Sequence, residues 1–79
     1  MKIHELKITP EYFKDVKSGH KRFELRKDDR EYQVGDLLIL KEFDKDHYTG
    51  HKTRHKTIQY ILRDVPEYGL NEGYCILGF

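Results

Sequence analysis

An alternating run of six residues, KRFELR, most restricts how this chain folds. Phe23 and Leu25 have one parity, whereas Arg22, Glu24 and Arg26 have the other. Because side chains of a β-strand alternate between its faces, the run predicts a strand with one apolar and one charged face. Same-face neighbours lie roughly 6.6 Å apart, so one small polar ligand or one nucleotide can contact Glu24 and Arg26 together. A solvated charged face is the alternative interpretation.

The chain has 79 residues, so residues 1–79 are predicted to form a single domain. A domain of this size buries only about 60–65% of its unfolded surface, which predicts a thin core and a shallow cleft. Charged residues make up 37% of the sequence, but apolar residues cluster, as in Leu37–Leu40. This clustering indicates a folded domain rather than a disordered chain.

Basic residues are concentrated in two segments, although the net charge is only +1. Residues 17–30 and residues 41–63 each contain six lysines or arginines and three acidic residues. Residues 64–79 contain three acidic residues and no lysine or arginine. Basic segments of this kind can follow a phosphate backbone, which favours a nucleic-acid partner.

Cysteine usage and hydropathy favour an intracellular protein. Cys75 is the only cysteine, so no intrachain disulfide can form, and its apolar neighbours predict a buried, unreactive thiol. No apolar run approaches the ~18 residues of a membrane span, and no signal-peptide pattern opens the chain. We therefore expect a cytoplasmic protein without a membrane partner.

Local signals predict one short helix after the first strand. Residues 4–8 alternate, with Leu6 and Ile8 on one side and Glu5 and Lys7 on the other, which predicts a first strand that starts near Lys2 or Ile3. Thr9 and Pro10 suit a helix start, and Ser18-Gly19 suits its end because glycine adopts the left-handed conformation at little cost.

The rest of the chain is predicted to be mostly extended. Its expected elements are a strand buried on both faces at Leu37–Phe43, a hairpin loop at 44–52, a returning strand at 53–63, a loop with one helical turn at 64–72, and a last strand at 73–79. About five strands and one short helix indicate an α+β fold, mostly β, arranged as a small bent sheet or barrel.

Histidine spacing does not predict a metal site. His47, His51 and His55 recur every four residues, which would align them on a helix, but they fall in a predicted turn and strand. We therefore expect no metal and no cofactor. Tyr48, close to the basic hairpin, is a candidate for stacking on a base, with core packing or loop stabilisation as the alternative.

The motif Gly-x-Lys-x-x-Glu-x-Arg, here Gly19, Lys21, Glu24 and Arg26, resembles that of ASCH domains in the PUA-like superfamily. The Val34-Gly35-Asp36 element before the buried strand is a second feature of PUA-like barrels.

The whole chain is most similar to a small uncharacterised family of bacterial and bacteriophage proteins within that superfamily. Three segments match the family pattern: His4–Ile8, Phe23–Arg30 and Tyr48–Gly50.

The resemblance implies a β-barrel whose cleft, between the first helix and the barrel wall, binds RNA or a nucleotide-like ligand. Lys21 and Arg26 would meet phosphate, since arginine offers a planar two-pronged contact. Glu24 would accept a hydrogen bond from a base amine or a ribose hydroxyl, or would only neutralise one of the cations in an ion pair. DNA is not excluded as the ligand.

Three further residues are candidates for the edge of that cleft. His4 opens the first strand and belongs to the family pattern, and Lys7 lies on the same strand. Arg30 would reach the ligand or form a local salt bridge with Asp29. A solvated lysine is the simpler interpretation of Lys7.

Two other functions remain open. Some ASCH-like proteins hydrolyse an acetyl amide on a modified cytidine, but they carry a threonine where this chain has Glu24. If this protein is an enzyme, Lys21 and Glu24 are its expected acid–base pair. The third possibility is a protein-interaction domain, for instance one that binds a host factor.

Overall fold

The computed structural model describes residues 1–79, which form seven β-strands, one α-helix and one 3₁₀-helix. In chain order the elements are β1 (Ile3–Ile8), α1 (Pro10–Ser18), β2 (Phe23–Lys27), β3 (Leu37–Asp44), β4 (His47–Lys52), β5 (Lys56–Thr57), β6 (Tyr60–Leu62), the 3₁₀-helix (Pro66–Tyr68) and β7 (Tyr74–Gly78). Neither helix is long and apolar enough to cross a bilayer.

The strands are divided between two sheets. In the first sheet β3 is central: it pairs parallel with β1 and antiparallel with β4 and β5. The second sheet is antiparallel, with strand order β2-β7-β6. The predicted α+β, mostly β class with one helix after the first strand is confirmed. The predicted β-barrel of about five strands is not confirmed: the strands form two sheets, and no backbone pairing joins β1 to β2.

The helix α1 forms where its end signals predicted it. Pro10 occupies its first turn, and Gly19 ends it with a left-handed φ of 87° while donating its N–H to the Val16 carbonyl. Phe13 and Val16 are buried, whereas the neighbouring Tyr12 is 49% exposed. The helix therefore contributes one narrow apolar stripe to the core and keeps Tyr12 at the surface.

The core lies between α1 and the inner faces of the two sheets. Its ten apolar members are Leu6, Ile8, Phe13, Val16, Tyr32, Leu38, Leu40, Ile58, Cys75 and Leu77. Burial raises the pKa of the Cys75 thiol to about 11, so the thiol stays protonated and the prediction of a buried cysteine is confirmed. Strand β3 is fully buried on one face only, at Leu38 and Leu40, whereas we predicted burial on both faces.

The strand β2 turns its charged face inward. Glu24 is only 5% exposed, whereas Phe23 and Leu25 are 48% and 56% exposed. Paired residues of an antiparallel sheet point to the same side, so the outer face continues through Tyr60 and Ile76 of the neighbouring strands. The predicted alternation along β2 is confirmed, and it places Glu24 and Arg26 toward the protein and Phe23 and Leu25 toward solvent.

The second half of the chain departs from two predicted boundaries. Residues 44–52 are not a loop, because β4 occupies most of them and the turn is confined to Lys45 and Asp46. Residues 53–63 are not one returning strand: β5 joins the first sheet and β6 the second. Between them the inward parity changes, since Ile58 is fully buried and Tyr60 is 66% exposed.

Candidate functional site

Glu24 is the centre of a charged cluster on the inner face of β2. Its Oε1 accepts a hydrogen bond from Lys21 Nζ, and its Oε2 accepts bonds from Arg26 Nη2 at 2.9 Å and Nε at 3.2 Å. The side chains of Lys21 and Arg26 are 16% and 23% exposed. Burial of an unpaired carboxylate is costly, so the bonds from these two cations allow the Glu24 side chain to point into the protein.

The turn after α1 fixes the position of Lys21. Its backbone N–H donates to the Asp15 carbonyl at 2.9 Å, and its Nζ donates to the Phe23 carbonyl at 2.7 Å. The ammonium lies 5.2 Å from the centroid of the Tyr12 ring and 4.9 Å from that of Phe23. An ammonium has three N–H groups, so one remains after the bonds to Phe23 and Glu24.

A concavity of about 340 Å³ opens beside this cluster and is lined by Tyr12, Lys21, Phe23, Glu24 and Leu25. The two aromatic rings provide flat apolar walls, and Lys21 provides a hydrogen-bond donor. The volume lies at the lower end of the range of small-ligand sites. The concavity can therefore hold one planar, partly polar group.

Arginines bridge the opening between the two sheets. The backbone N–H of Leu37 donates to the Lys2 carbonyl, which therefore points toward β3. Because successive carbonyls of a strand point in opposite directions, the carbonyls of Glu5 and Lys7 point away from β3. Arg26 Nη2 donates to the Lys7 carbonyl, and Arg30 Nη1 donates to the Glu5 carbonyl at 3.2 Å. Side chains thus replace the backbone pairing that would close a barrel.

A second buried carboxylate, Asp36, holds His4 in place. Asp36 accepts bonds from His4 Nε2 at 2.9 Å, from the Lys2 N–H at 3.0 Å and from the Gln33 N–H at 3.1 Å. The bond from His4, followed by that from Lys2, lowers the pKa of Asp36 to about 2. The His4 ring also packs edge-on against Tyr32, with centroids 4.7 Å apart. His4 is therefore buried in this cluster and does not line the concavity beside Lys21.

The side chains of Lys7 and Tyr48 lie together on the first sheet. Lys7 Nζ is 4.3 Å from the centroid of the Phe43 ring and 5.8 Å from that of Tyr48. The Phe43 and Tyr48 rings are in edge-to-face contact at 4.9 Å. Neither Lys7 nor Tyr48 lines the concavity. Of the predicted site residues, the structure brings together Lys21, Glu24 and Arg26.

The largest depression on the surface, about 650 Å³, lies elsewhere and contains no member of this cluster. Asp28, Asp29 and Glu31 contribute to its lining, and Arg63 binds both oxygens of Asp28, at 2.6 Å and 3.0 Å.

Arg30 forms no ion pair with Asp29, because its guanidinium is bonded to β1. No group of three or more histidine, cysteine, aspartate or glutamate side chains is placed to hold a metal ion.

Sequence reasoning missed the two aromatic walls of the concavity. The alternation of β2 places Phe23 on an apolar face, and neither Phe23 nor Tyr12 is among the predicted site residues, yet both are about half exposed and line the concavity. One signal for Tyr12 was present: it precedes Phe13 directly, and adjacent helical residues cannot both face one narrow core stripe. No local signal identified the outward direction of Phe23.

A profile described as "Domain of unknown function (DUF3850)" matches residues 3–79. The chain belongs to the DUF3850 family. It is also similar to the "Uncharacterized 12.9 kDa protein in GpA 3'region" of Escherichia phage P2, with 51% identity over 51 residues. This alignment covers 65% of the chain and 47% of the relative, so the match spans about half of the phage protein. Together these matches confirm the predicted relation to a small phage-related family.

Proposed function

We propose that this DUF3850 domain is an ASCH-like binding module that holds a nucleoside unit of RNA beside Lys21. The observation that supports it most is the Lys21–Glu24–Arg26 cluster at the wall of a concavity with two aromatic sides. The helix α1 and the turn at Gly19 come before this cluster, and the strand β2 carries Glu24 and Arg26. The same order of helix, turn and strand is found in the ASCH motif. This order supports the ASCH-like assignment.

In the proposed complex the base lies between Tyr12 and Phe23. Base–aromatic stacking contributes about 1–3 kcal/mol per base and tolerates any base, because every base has a π-face. The remaining N–H of Lys21 donates to a base carbonyl or a phosphate oxygen. The same rings lie within cation–π distance of the ammonium, which favours a well-defined direction for that donor.

Glu24 has a positioning role in this proposal. Both of its oxygens already accept bonds from cations, and its side chain is only 6% exposed. A ligand amine would reach Glu24 only if Lys21 moved aside. Glu24 therefore fixes the direction of Lys21, and Arg26 neutralises the carboxylate while joining β2 to β1.

The test is an NMR titration with free nucleosides and short RNAs. We expect shift changes at the amides of Tyr12, Lys21 and Phe23, and a loss of affinity of about tenfold or more in Lys21→Met, which is about 1.4 kcal/mol. The matched control is Lys14→Met, because Lys14 is an exposed lysine on α1 that makes no side-chain contact with the cluster. Equal losses in both variants, or shifts confined to other surfaces, would contradict the proposal.

The same samples test the alternative of an amidohydrolase. The binding module predicts that an N-acetylated nucleoside survives long incubation unchanged. An enzyme predicts the deacetylated product, with loss of turnover in both Lys21→Met and Glu24→Gln. Chromatography of the incubated nucleoside measures the difference.

The apolar outer face of the β2-β7-β6 sheet favours a protein-interaction domain as the second candidate. Tyr60 is 66% exposed and Tyr74 is 38% exposed, and both lie on the same face of the sheet as the half-exposed Phe23 and Leu25. Tyr60→Thr combined with Tyr74→Thr keeps strand propensity and leaves the concavity unchanged. Under this candidate a co-purifying protein is lost with the tyrosine pair and retained with Lys21→Met. The reverse pattern supports the nucleoside site.

A further inference from the structure

Another concavity, of about 330 Å³, is lined almost entirely by cationic side chains. Its residues, which we call the basic basin, are Lys17, Lys52, Thr53, Arg54 and Lys56. No acidic side chain lines the basin, and none of its four cations belongs to any salt bridge of the domain. The basin therefore differs from the Glu24 cluster, where a carboxylate neutralises the cations.

The cations of the basin come from three elements, with Lys17 on α1, Lys52 on β4 and Lys56 on β5, and Arg54 lies in the connection between β4 and β5. Thr53 N–H donates to the Leu40 carbonyl at 2.9 Å, and Thr53 Oγ1 accepts from the Leu40 N–H at 3.1 Å. Lys56 begins β5 and is paired with Leu38, while Lys17 lies in the last turn of α1. The basin is therefore built on paired strands, a helix end and a short connection that Thr53 anchors to β3.

Four like charges around one concavity repel each other and create a positive local potential. Such potentials concentrate anions and accelerate their association, with an effect that falls as salt increases. A ligand with several negative charges relieves the repulsion more than a single anion does. The basin is therefore suited to a chain of phosphates.

A smaller concavity, of about 250 Å³, adjoins both the basin and the site beside β2, because it shares a lining lysine with each. It is lined in part by Lys21, Arg22 and Lys56. Lys56 also lines the basin, and Lys21 also lines the concavity with the aromatic walls. The three concavities are thus consecutive, each sharing one lysine with the next.

We propose that these concavities form one groove for a single-stranded polynucleotide. Its phosphates lie over the basin and Arg22, and one base turns into the space between Tyr12 and Phe23. This inference rests on the proposed nucleoside site and specifies its ligand as a nucleotide chain rather than a free nucleoside. Stacked, paired bases in a duplex cannot enter such a pocket, whereas unpaired bases can.

The test compares two double variants that lose the same charge. Lys52→Gln with Arg54→Gln removes two basin cations, and Lys14→Gln with Lys45→Gln removes two exposed lysines that line none of the concavities. Fluorescence anisotropy measures the binding of labelled RNA and DNA single strands of about six nucleotides, and of a matching duplex, between about 50 and 200 mM salt. All four substituted side chains are exposed, so each variant should remain folded.

We expect the basin variant to bind single strands about tenfold more weakly than the wild type. The slope of log affinity against log salt should shrink by about 1.4, because each lost phosphate contact on a single strand accounts for about 0.7. The control variant should stay within about twofold of the wild type, and the duplex should bind more weakly than either single strand. Comparison of the RNA and DNA arms shows whether the ribose hydroxyl contributes.

The outcomes separate this inference from the function on which it rests. If nucleosides still shift the amides of Tyr12 and Phe23 but the basin variant binds single strands as the wild type does, the groove is wrong and the nucleoside site stands. If nucleosides cause no shift while single strands bind through the basin, the nucleoside site is wrong. Equal losses in the basin and control variants would show general charge attraction and overturn the groove.

Discussion

Two carboxylates are buried to the same extent in this domain but are neutralised in different ways. Glu24 and Asp36 are 5% and 4% exposed. Asp36 is bonded to two backbone N–H groups and to the buried His4 ring. Glu24 is bonded only to the side chains of Lys21 and Arg26, both of which remain partly in contact with solvent.

This difference separates a structural carboxylate from one suited to a binding site. The backbone donors of Asp36 belong to Lys2, directly before β1, and to Gln33 in the connection before β3, so they cannot exchange partners without local unfolding. Lysine and arginine side chains have many rotamers and can share their donors with an incoming group. Polar groups at the wall of the concavity are therefore those that a ligand can recruit, whereas the Asp36 cluster fixes the fold.

The largest effect is expected for Asp36→Ala. Removing this carboxylate leaves the buried His4 ring and the part-buried N–H groups of Lys2 and Gln33 without a partner, which costs far more than losing an exposed contact. We expect the melting temperature to fall by about 10 °C or more. Thermal unfolding followed by circular dichroism measures this, with Asp46→Ala in the exposed hairpin turn as the control. A similar small change in both variants would refute the structural role.

Acid should weaken the fold through the same residue. Because the folded-state pKa of Asp36 is lowered to about 2 from 3.8, the unfolded chain takes up its proton first as the pH falls. The contribution of Asp36 is therefore complete above about pH 4 and is lost progressively down to about pH 2. Urea midpoints of the wild type and Asp36→Ala should converge across this window. A constant difference would argue against the lowered pKa.

The Glu24 cluster should be replaceable at little cost in stability. Glu24→Leu leaves Lys21 and Arg26 unpaired, and we expect the melting temperature to fall by about 5–10 °C. Replacing all three residues, as Lys21→Met, Glu24→Leu and Arg26→Met, should recover most of that loss, because apolar groups of similar size often replace a buried ion cluster without cost. Nucleoside binding should nevertheless be absent in the triple variant. If the triple variant is less stable than Glu24→Leu, the cluster is structural.

Those parts of the fold that depend on neighbouring residues were predictable from the sequence. The strand β1, the helix α1 and its end at Gly19 follow from alternation and helix-end signals that act over a few residues. The charged triplet of the site was also predictable, because Lys21, Glu24 and Arg26 are close in sequence and meet by local geometry.

The direction of β2 and the path of residues 53–63 depend on distant partners. Alternation distinguishes two faces of a strand but does not say which faces inward, and the ion pairs at Glu24 reversed the usual choice. Likewise, Ile58 and Tyr60 share a parity, but the chain passes from one sheet to the other between them. The two basic segments were visible in the sequence, but the basin was not, since Lys17 and residues 52–56 meet only in the folded domain.

The smallest stability effect should come from Lys21→Met, and its contrast with His4→Phe compares the two clusters directly. Each substitution removes one side-chain donor from a buried carboxylate. After Lys21→Met, Arg26 still engages Glu24, and methionine keeps an apolar contact with the Tyr12 and Phe23 rings, so the melting temperature should change by about 3 °C or less.

His4→Phe keeps the edge-on contact with Tyr32 but removes a fixed, buried donor, so it should lower the melting temperature by about 5 °C or more. Nucleoside titration should give the opposite order, with binding lost in Lys21→Met and retained in folded His4→Phe. Such a crossed pattern cannot arise from general destabilisation, because the more stable variant is the one that fails to bind. Binding that instead follows melting temperature in both variants would mean that the two carboxylates have the same, purely structural role.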